Sequence, residues 1–334
     1  MANNILDFEK PLIELSNKIE ELKSFMDDKG LDLSNELARL EKRAEKLEKE
    51  IYEELSTSEI LQIARHANRP TARDYIDYIF DEFIELHGDR RYGDDNAMLG
   101  GIGTINNIPF TFLGHQKGKT TKENLERNFG MAHPEGYRKA LRLMKQAEKF
   151  NRPILSLINT PGAYPGIGAE ERGQAEAIAR NLMEMSTLTV PIIVVVVGEG
   201  GSGGALGIGL GDRILMMEYS YYSVCTPEAC ASILWKDSEK SKEAAKALNI
   251  TAKDLKELAL IDKIIKEPIG GAHKDPEKAS LILRNAVLEN LKELNKMNKS
   301  ELIEKRYNKY RRIGEFFSNE TFTGVSDGLK EEAE

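Results

Sequence analysis

Apolar residues recur at steps of three and four along the N-terminal part of the chain. One series runs from Leu12 to Met26, and after a short charged turn a second series runs from Leu33 to Leu55. This spacing places each series along one face of a helix. Because a short turn joins the two series, the pattern predicts an antiparallel helical hairpin over residues 1–56. Stripes of this kind pack inside their own chain more often than they recruit a partner.

Beyond the hairpin, the pattern changes to alternating strands and helices. Two β-rich runs separated by Asn106-Asn107 predict a strand hairpin, and the short apolar runs that follow alternate with helical spacing, as in α/β proteins. In chain order we predict a short helix capped by Ser56 and Glu59, a helix over 71–86, strands over 98–105, 108–114 and 153–159, a helix over 169–185, a strand over 191–197, a short helix over 203–210, a strand over 213–218, and helices over 276–295 and 301–310. The polar segment 318–334 predicts a flexible tail, which leaves 57–317 as the main domain.

Composition and charge exclude several classes of protein. With 47 Lys and Arg against 55 Asp and Glu among 334 residues, the net charge is −8, so the chain lacks the overall basic field that holds nucleic acid. The two cysteines, Cys225 and Cys230, are separated by four residues, which fits neither a disulfide framework nor a zinc ribbon. The most apolar run, Ile192–Val197, is too short to span a bilayer, and no export signal is visible. These features predict a cytoplasmic protein without a membrane segment or a metal site.

Two glycine-rich segments each follow a predicted strand and precede a predicted helix. The first runs over 159–168 and the second over 198–204. Since glycine has no Cβ, backbone amides in such segments can approach a ligand and stabilise an anion or oxyanion. Tight packing of helix on strand would also select glycine, but two such segments in consecutive units favour a functional site. The candidate ligand-contacting residues are Gly162, Ala163, Gly200, Gly201, Gly203 and Gly204.

The second segment also matches motifs from other chemistries. Its Gly-x-Gly-x-x-Gly spelling is a dinucleotide fingerprint, but the helix that follows is too short for a Rossmann crossover. Ser202 stands between two glycines as in a nucleophile elbow, with Asp262 and His273 following in the order of α/β-hydrolases. His273 lies in a polar loop, which makes it a poor candidate base.

A basic cluster follows the second strand of the predicted strand hairpin. The segment 114–120 begins like a phosphate-binding loop but has one residue too few between its glycines for that motif. Its lysines could still meet phosphates, or form an ordinary solvated face. The cluster consists of Lys117, Lys119, Lys122 and Arg127.

Nine blocks of sequence together resemble one known family. They are Gly-His-Gln-Lys-Gly at 114–118, Arg-Asn-Phe-Gly-Met at 127–131, Pro-Glu-Gly-Tyr-Arg-Lys-Ala-Leu-Arg at 134–142, Thr-Pro-Gly-Ala-Tyr-Pro-Gly at 160–166, the glycine-rich 198–206, Tyr-Ser-Val at 222–224, Cys-Ala-Ser-Ile-Leu-Trp-Lys at 230–236, Leu-Ile-Asp at 260–262 and Pro-Ile-Gly-Gly-Ala-His at 268–273. These blocks are similar to the α subunits of bacterial acetyl-CoA carboxylase carboxyltransferases, as is the preceding hairpin. Ala229 departs from the glycine usual in that family, away from the candidate site.

The resemblance implies a fold, a reaction and partners. The fold would be a crotonase-like ββα superhelix with the N-terminal hairpin and C-terminal helices. The reaction would transfer CO2 from carboxybiotin on a carrier protein to acetyl-CoA, giving malonyl-CoA for fatty acid synthesis. Gly203 and Gly204 would hold the biotin oxyanion, while Lys117, Lys119 and the other glycine-segment candidates would contact substrate.

The same resemblance divides the work among several proteins. A homologous β subunit would hold the thioester enolate and carry the zinc, in an α2β2 heterotetramer. Biotin carboxylase and the biotin carboxyl carrier protein would complete the ATP-dependent complex, so this chain would bind no cofactor covalently. Two alternatives remain: a serine hydrolase using Ser202, and a non-catalytic scaffold that binds acyl-CoA through the basic cluster.

Overall fold

The chain folds around a mixed β-sheet. The computed structural model describes residues 6–29 and 32–314, together with the backbone of 316–317 and 322–323. The helices are α1 (Lys10–Lys29), α2 (Ser34–Glu53), α3 (Thr57–Ala64), α4 (Ala72–Ile79), α5 (Thr121–Glu126), α6 (Pro134–Lys149), α7 (Ile167–Glu171), α8 (Gln174–Thr187), α9 (Ser202–Leu206), α10 (Pro227–Trp235), α11 (Ser241–Ala247), α12 (Ala252–Glu257), α13 (Pro276–Leu294) and α14 (Lys299–Arg311). The strands are β1 (Glu82–Glu85), β2 (Met98–Ile105), β3 (Ile108–His115), β4 (Ile154–Thr160), β5 (Ile192–Gly201), β6 (Arg213–Met217), β7 (Tyr221–Ser223), β8 (Lys263–Ile265), β9 (Phe316–Phe317) and β10 (Phe322–Thr323).

The main sheet has the strand order β1-β2-β3-β4-β5-β6-β8, with β7 paired to the end of β5. Strands β1 to β3 are antiparallel, and the pairings from β3 to β8 are parallel. Asn106 and Asn107 turn the chain between β2 and β3 with φ angles of 52° and 62°, the left-handed conformation that asparagine tolerates in tight hairpins. The strand hairpin and the α/β core predicted from sequence are confirmed.

Two hydrophobic clusters cover the two faces of the sheet. Helices α4 and α13 pack on one face, and α6 and α8 on the other. Strands β4 and β5 are buried along their whole length because both of their faces are covered. They run parallel side by side, so the segments that follow them emerge next to each other at one edge of the sheet.

The N-terminal helices form the predicted hairpin, with Leu15 and Ile19 of α1 buried. Lys23 of α1 pairs with Glu41 of α2 at 2.8 Å. At the base of the hairpin, the ring of Tyr52 lies 5.8 Å from the ring of Tyr219 in the main domain. The connecting residues 30–31 lie outside the described residues, as does the predicted tail over 318–334 apart from the backbone of 322–323.

Two predicted helices are wrong in their extent. The helix expected over 71–86 ends at Ile79, and residues 82–85 instead form edge strand β1, because pairing with β2 satisfies their backbone groups. The helix expected over 169–185 is divided into α7 and α8 at Gly173, whose φ of 83° interrupts helical geometry.

The strand expected to end at Val197 continues to Gly201. Residues 199–201 pair with β7, and Gly200 also lies opposite Thr160 of β4. Part of the second glycine-rich segment is therefore strand rather than loop. The short helix expected over 203–210 is α9, which begins at Ser202 and ends at Leu206.

Candidate functional site

The two glycine-rich segments lie in direct backbone contact at the carboxyl ends of β4 and β5. A Cβ on Gly204 would lie 2.3 Å from the carbonyl carbon of Gly162 and 2.4 Å from the amide nitrogen of Ala163. A Cβ on Gly201 would lie 2.1 Å from the carbonyl oxygen of Pro161. All three distances are far below normal contact, so only glycine allows the segments to approach this closely.

Gly203 and Gly204 occupy the first turn of α9, so their amides have no partner within the helix. Gly204 is buried, and its carbonyl oxygen accepts a hydrogen bond from Tyr137 Oη at 3.3 Å. Gly203 is half-buried, and a Cβ there would make only an ordinary contact with Ile178 Cδ1, 3.8 Å away. Of the two predicted oxyanion residues, Gly203 is thus the less tightly enclosed.

An apolar cavity of about 570 Å³ opens beside Gly203. Exposed Leu206 and Val224 contribute to its lining. Ser202, Tyr222 and Tyr310 are also part of the lining. Such a cavity suits a ligand whose apolar body lies next to a group that accepts hydrogen bonds from amides.

The other four glycine-segment candidates shape this site rather than open into it. Thr160 Oγ1 donates to the carbonyl of Gly162 at 2.7 Å and accepts from its amide at 3.2 Å, which fixes the start of the first segment. Gly200 and Gly201 are paired in the sheet with β7, and Ala163 follows Gly162 in contact with Gly204. The sheet therefore sets the positions of Gly200 and Gly201, while Gly162 and Ala163 are held by Thr160 and by the contact with Gly204.

The predicted basic cluster is partly neutralised by acidic side chains. Lys117 Nζ forms an ion pair with the carboxylate of Glu199, within the second glycine-rich segment. Lys119 Nζ pairs with Asp74 at 2.6 Å, with its side chain 63% exposed. Arg127 donates to the carbonyl of Asn96 at 2.9 Å. Lys119 is therefore the member of these three whose charge remains largely in solvent.

A second cavity, of about 480 Å³, lies beside the buried carboxylate of Glu199. Glu199 accepts hydrogen bonds from Arg65 Nε and from Tyr221 Oη, each at 2.7 Å, in addition to its pairing with Lys117. Although burial opposes ionisation, these partners lower the pKa of Glu199 to about 2. The sequence analysis missed Arg65, Glu199 and Tyr221. The available signal was Glu199 itself, because a glutamate inside a buried run of valine and glycine needs charged or hydrogen-bonding partners.

Ser202 lacks the partners of a hydrolytic nucleophile. Asp262 accepts from the amide of Ile214 at 2.6 Å and forms an ion pair with Lys309. The ring of His273 instead lies 4.2 Å from that of His66, at an interplanar angle of 31°, and neither of its ring nitrogens has a hydrogen-bond partner. Since a nucleophilic serine requires a histidine within hydrogen-bond reach, the geometry does not support the hydrolase alternative.

His115 is the last residue of β3 and is completely buried beside the backbone of Gly204. Burial, which disfavours the charged imidazolium, lowers the pKa of His115 to about 3. Below pH ~6.5 the imidazole therefore binds a proton in the unfolded chain but remains neutral in the folded protein. The contribution of neutral His115 to folding stability is complete above pH ~6.5 and is lost as the pH falls towards 3.

Acidification from pH 7 to pH 5 is accordingly expected to cost about 2 kcal/mol of folding stability through His115 alone. The pKa values of Asp94 and Glu199 are lowered to about 2, so their protonation reduces folding stability only at more acidic pH. Urea unfolding of wild type and His115→Gln at both pH values would measure the effect, and the variant should lose about 2 kcal/mol less between them. An unchanged pH dependence in the variant would contradict it.

Within residues 6–29 and 32–314, no group of three or more metal-ligating side chains comes together. Over the same part of the chain, none of the helices has the length and apolar character needed to cross a membrane.

Solved structures share this fold at low sequence identity. A chain of a Pseudomonas malonate decarboxylase hetero-tetramer in complex with coenzyme A matches with a TM-score of 0.57 at 15% identity, covering 71% of this chain and 94% of that chain. Transcarboxylase 12S matches with a TM-score of 0.53 at 20% identity, covering 68% of this chain and 44% of that chain. At this level of identity the likeness shows the fold alone, and it agrees with the α/β fold that the sequence predicted.

Relatives of higher identity cover nearly the whole chain. The family model described as acetyl co-enzyme A carboxylase carboxyltransferase-like matches residues 5–314. The acetyl-coenzyme A carboxylase carboxyl transferase subunit alpha of Bacillus cereus (strain G9842) is 58% identical over 325 residues, 97% of this chain and 99% of the relative. The protein of that name from Bacillus thuringiensis (strain Al Hakam) is 59% identical over 315 residues, 94% of this chain and 97% of the relative. The chain belongs to the acetyl-CoA carboxylase carboxyltransferase family, as an α subunit.

Proposed function

We propose that this chain supplies the biotin-side oxyanion site for CO2 transfer from carboxybiotin to acetyl-CoA, which gives malonyl-CoA for fatty acid synthesis. The observation that carries the proposal is the position of Gly203. Its amide lies in the first turn of α9 and the residue lines the apolar cavity, while Gly204 is packed closely against the backbone of Gly162. This combines access for a ligand with a rigid support.

The residues present fit such a ligand. Carboxybiotin, delivered by a carrier protein, supplies the CO2, and its ureido oxygen carries negative charge once the CO2 leaves. The amides of Gly203 and Gly204 donate hydrogen bonds to that oxygen, and the cavity of about 570 Å³ receives the apolar rings and chain. Because these donors are fixed before the charge develops, each contributes about 2.7–4 kcal/mol to the transition state.

The remaining site residues take supporting roles in the proposal. Gly162, Ala163, Gly200 and Gly201 form the wall that keeps the two segments in contact. Lys119, which is 63% exposed, meets a phosphate of acetyl-CoA. Lys117 adds positive charge at the edge of the second cavity, although Glu199 neutralises much of it.

The chain performs this chemistry together with other proteins. Its relatives are named as subunits, and the malonate decarboxylase that shares the fold is a hetero-tetramer. We propose an α2β2 assembly with a β subunit that binds zinc and holds the acetyl-CoA enolate. Biotin carboxylase and the biotin carboxyl carrier protein would join it in the cytoplasm.

The purified chain alone is expected to form little or no malonyl-CoA, because it holds one of the two oxyanion sites that the reaction needs. Addition of the β subunit should restore transfer from a carboxylated carrier protein to acetyl-CoA, measured by mass spectrometry of the product. The β subunit alone is the matched control. Substantial product from this chain alone would refute the division of labour, and equal product from β with and without it would indicate a scaffold.

We further propose that residues 1–56 support assembly, whereas 57–317 carry the site. The hairpin attaches to the main domain through Glu9, whose carboxylate pairs with Lys274 at 2.9 Å. Within the hairpin, Tyr52 Oη donates to the same carboxylate at 2.8 Å. A chain beginning at Ser56 is therefore expected to be less stable, with Tyr219 uncovered, and to associate more weakly with the β subunit. Sedimentation and activity of the truncated complex would measure this, and normal assembly with normal turnover would disprove it.

A further inference from the structure

We infer that Glu199 is a positioning residue that holds the backbone carrying Gly203 and Gly204 in its reactive geometry. The inference rests on the proposed function for its catalytic consequence, whereas its structural part can be tested separately. Glu199 is four residues before Gly203, in the same glycine-rich segment. It faces the cavity of about 480 Å³, which shares no lining residue with the cavity beside Gly203 among the residues described. An effect of Glu199 on the oxyanion site would therefore pass through the backbone.

Glu199 is anchored through both its side chain and its backbone. Its carboxylate, 7% exposed, is held by Arg65, Lys117 and Tyr221. Its amide donates to Asn159 Oδ1, at the end of β4, at 3.1 Å. Burying a carboxylate is unfavourable unless it is paired and hydrogen-bonded. The segment therefore depends on this set of partners from four different parts of the chain.

The anchored residue precedes a strained one. Ser202 has a φ of 52°, in the left-handed region that residues with a Cβ adopt at an energetic cost. Such conformations persist only where the surrounding structure imposes them, and they cluster at functional sites. The conformation of Ser202 is held on its C-terminal side by the contact of Gly204 with Gly162 and by the hydrogen bond from Tyr137. On its N-terminal side, the ion-paired carboxylate of Glu199 holds the backbone in place.

This arrangement also accounts for the start of the segment 114–120, which resembles a phosphate-binding loop but lacks its spacing. Lys117 points its charge at Glu199 rather than into solvent, with its side chain 19% exposed. The same segment places His115 beside the backbone of Gly204. The basic motif thus supports the glycine-rich segment at two positions.

The other end of β5 offers a matched structural control. Asp212 Oδ2 accepts from the amide of Ile192, the first residue of β5, at 2.7 Å and pairs with Arg306 at 2.8 Å. This ion pair is more buried than those of Glu199, with side chains 1% and 3% exposed. It anchors the opposite end of the same strand. Removing its charge should affect stability without affecting the site.

The experiment compares Glu199→Gln with Asp212→Asn in the complex with the β subunit. Glu199→Gln is expected to lower kcat about 10- to 100-fold with KM for acetyl-CoA changed less than about 3-fold, because a displaced donor weakens the transition state. Amide hydrogen exchange over 198–206 should become at least about 10-fold faster. Asp212→Asn should lower the unfolding midpoint and leave both kcat and exchange over 198–206 unchanged.

Lys117→Met distinguishes positioning from substrate binding by Lys117. If Lys117 acts through Glu199, the double variant Lys117→Met/Glu199→Gln should have the same kcat as Glu199→Gln alone. A higher KM for acetyl-CoA on adding Lys117→Met to Glu199→Gln would instead show that Lys117 contacts substrate, and would remove it from the positioning set.

The inference is overturned if Glu199→Gln leaves kcat and exchange at wild-type values, or if Asp212→Asn lowers kcat equally. If the wild-type complex transferred no CO2, the proposed function would fail instead. The exchange measurement would then still decide whether Glu199 holds the segment.

Discussion

Replacement of Gly203 by valine is expected to lower CO2 transfer by the assembled complex about 100- to 1,000-fold, with little change in stability. A Cβ at Gly203 would make only an ordinary contact with Ile178 Cδ1, 3.8 Å away, so the neighbouring elements leave room for it. The branched methyl groups would fill the space in front of the amide and displace the ureido oxygen. Loss of one oxyanion donor typically has an effect of this size.

Ser202→Ala is the control for this variant. It removes the neighbouring hydroxyl but leaves both glycine amides in place, so transfer should remain close to wild type. The measurement is the rate of malonyl-CoA formation at saturating substrates, after circular dichroism and sedimentation show that each variant folds and assembles. Normal transfer by Gly203→Val together with an inactive Ser202→Ala would reverse the assignment and favour a serine nucleophile.

Replacement of Gly204 by valine is expected to have the larger effect on folding. Its Cβ would lie 2.3 Å from the backbone of Gly162, and backbone cannot rotate away as a flexible side chain can. Overpacking against this contact should destabilise the protein by about 3 kcal/mol or more. The free energy of unfolding in urea, or the loss of soluble protein, would measure it.

The two adjacent glycines thus allow ligand access to the oxyanion site to be tested separately from packing of the two glycine-rich segments. Gly203→Val should be folded and inactive, whereas Gly204→Val should be poorly folded. Loss of activity in Gly204→Val is therefore not evidence about the oxyanion unless the variant assembles. Equal stability of Gly204→Val and wild type would show that the two glycine-rich segments are not held in the contact described.

Local signals predicted much of the fold. The helical hairpin followed from apolar spacing, and the turn at Asn106-Asn107 followed from residues that accept positive φ. Ser56 and Glu59 form the predicted capping box, with Glu59 donating its amide to Ser56 Oγ at 3.4 Å. In each case the residues that make the structure are close in sequence.

The wrong predictions fell where distant pairing competes with local preference. Residues 82–85 continue a helical pattern, yet they join β2 because an edge of the sheet is available there. The division between α7 and α8 was signalled by Gly173, but a single glycine in a periodic segment does not reveal a left-handed conformation by itself.

By itself, the sequence determined the α/β class, the helical hairpin and the two glycine-rich segments, because periodicity and glycine placement are local properties. Only the tertiary structure decided that Gly204 lies against Gly162 while Gly203 remains accessible. It also decided that Lys117 pairs with Glu199, 82 residues away, and Arg65 with the same carboxylate, 134 residues away. A buried charge requires partners, but the sequence does not say which distant cation the fold brings to it.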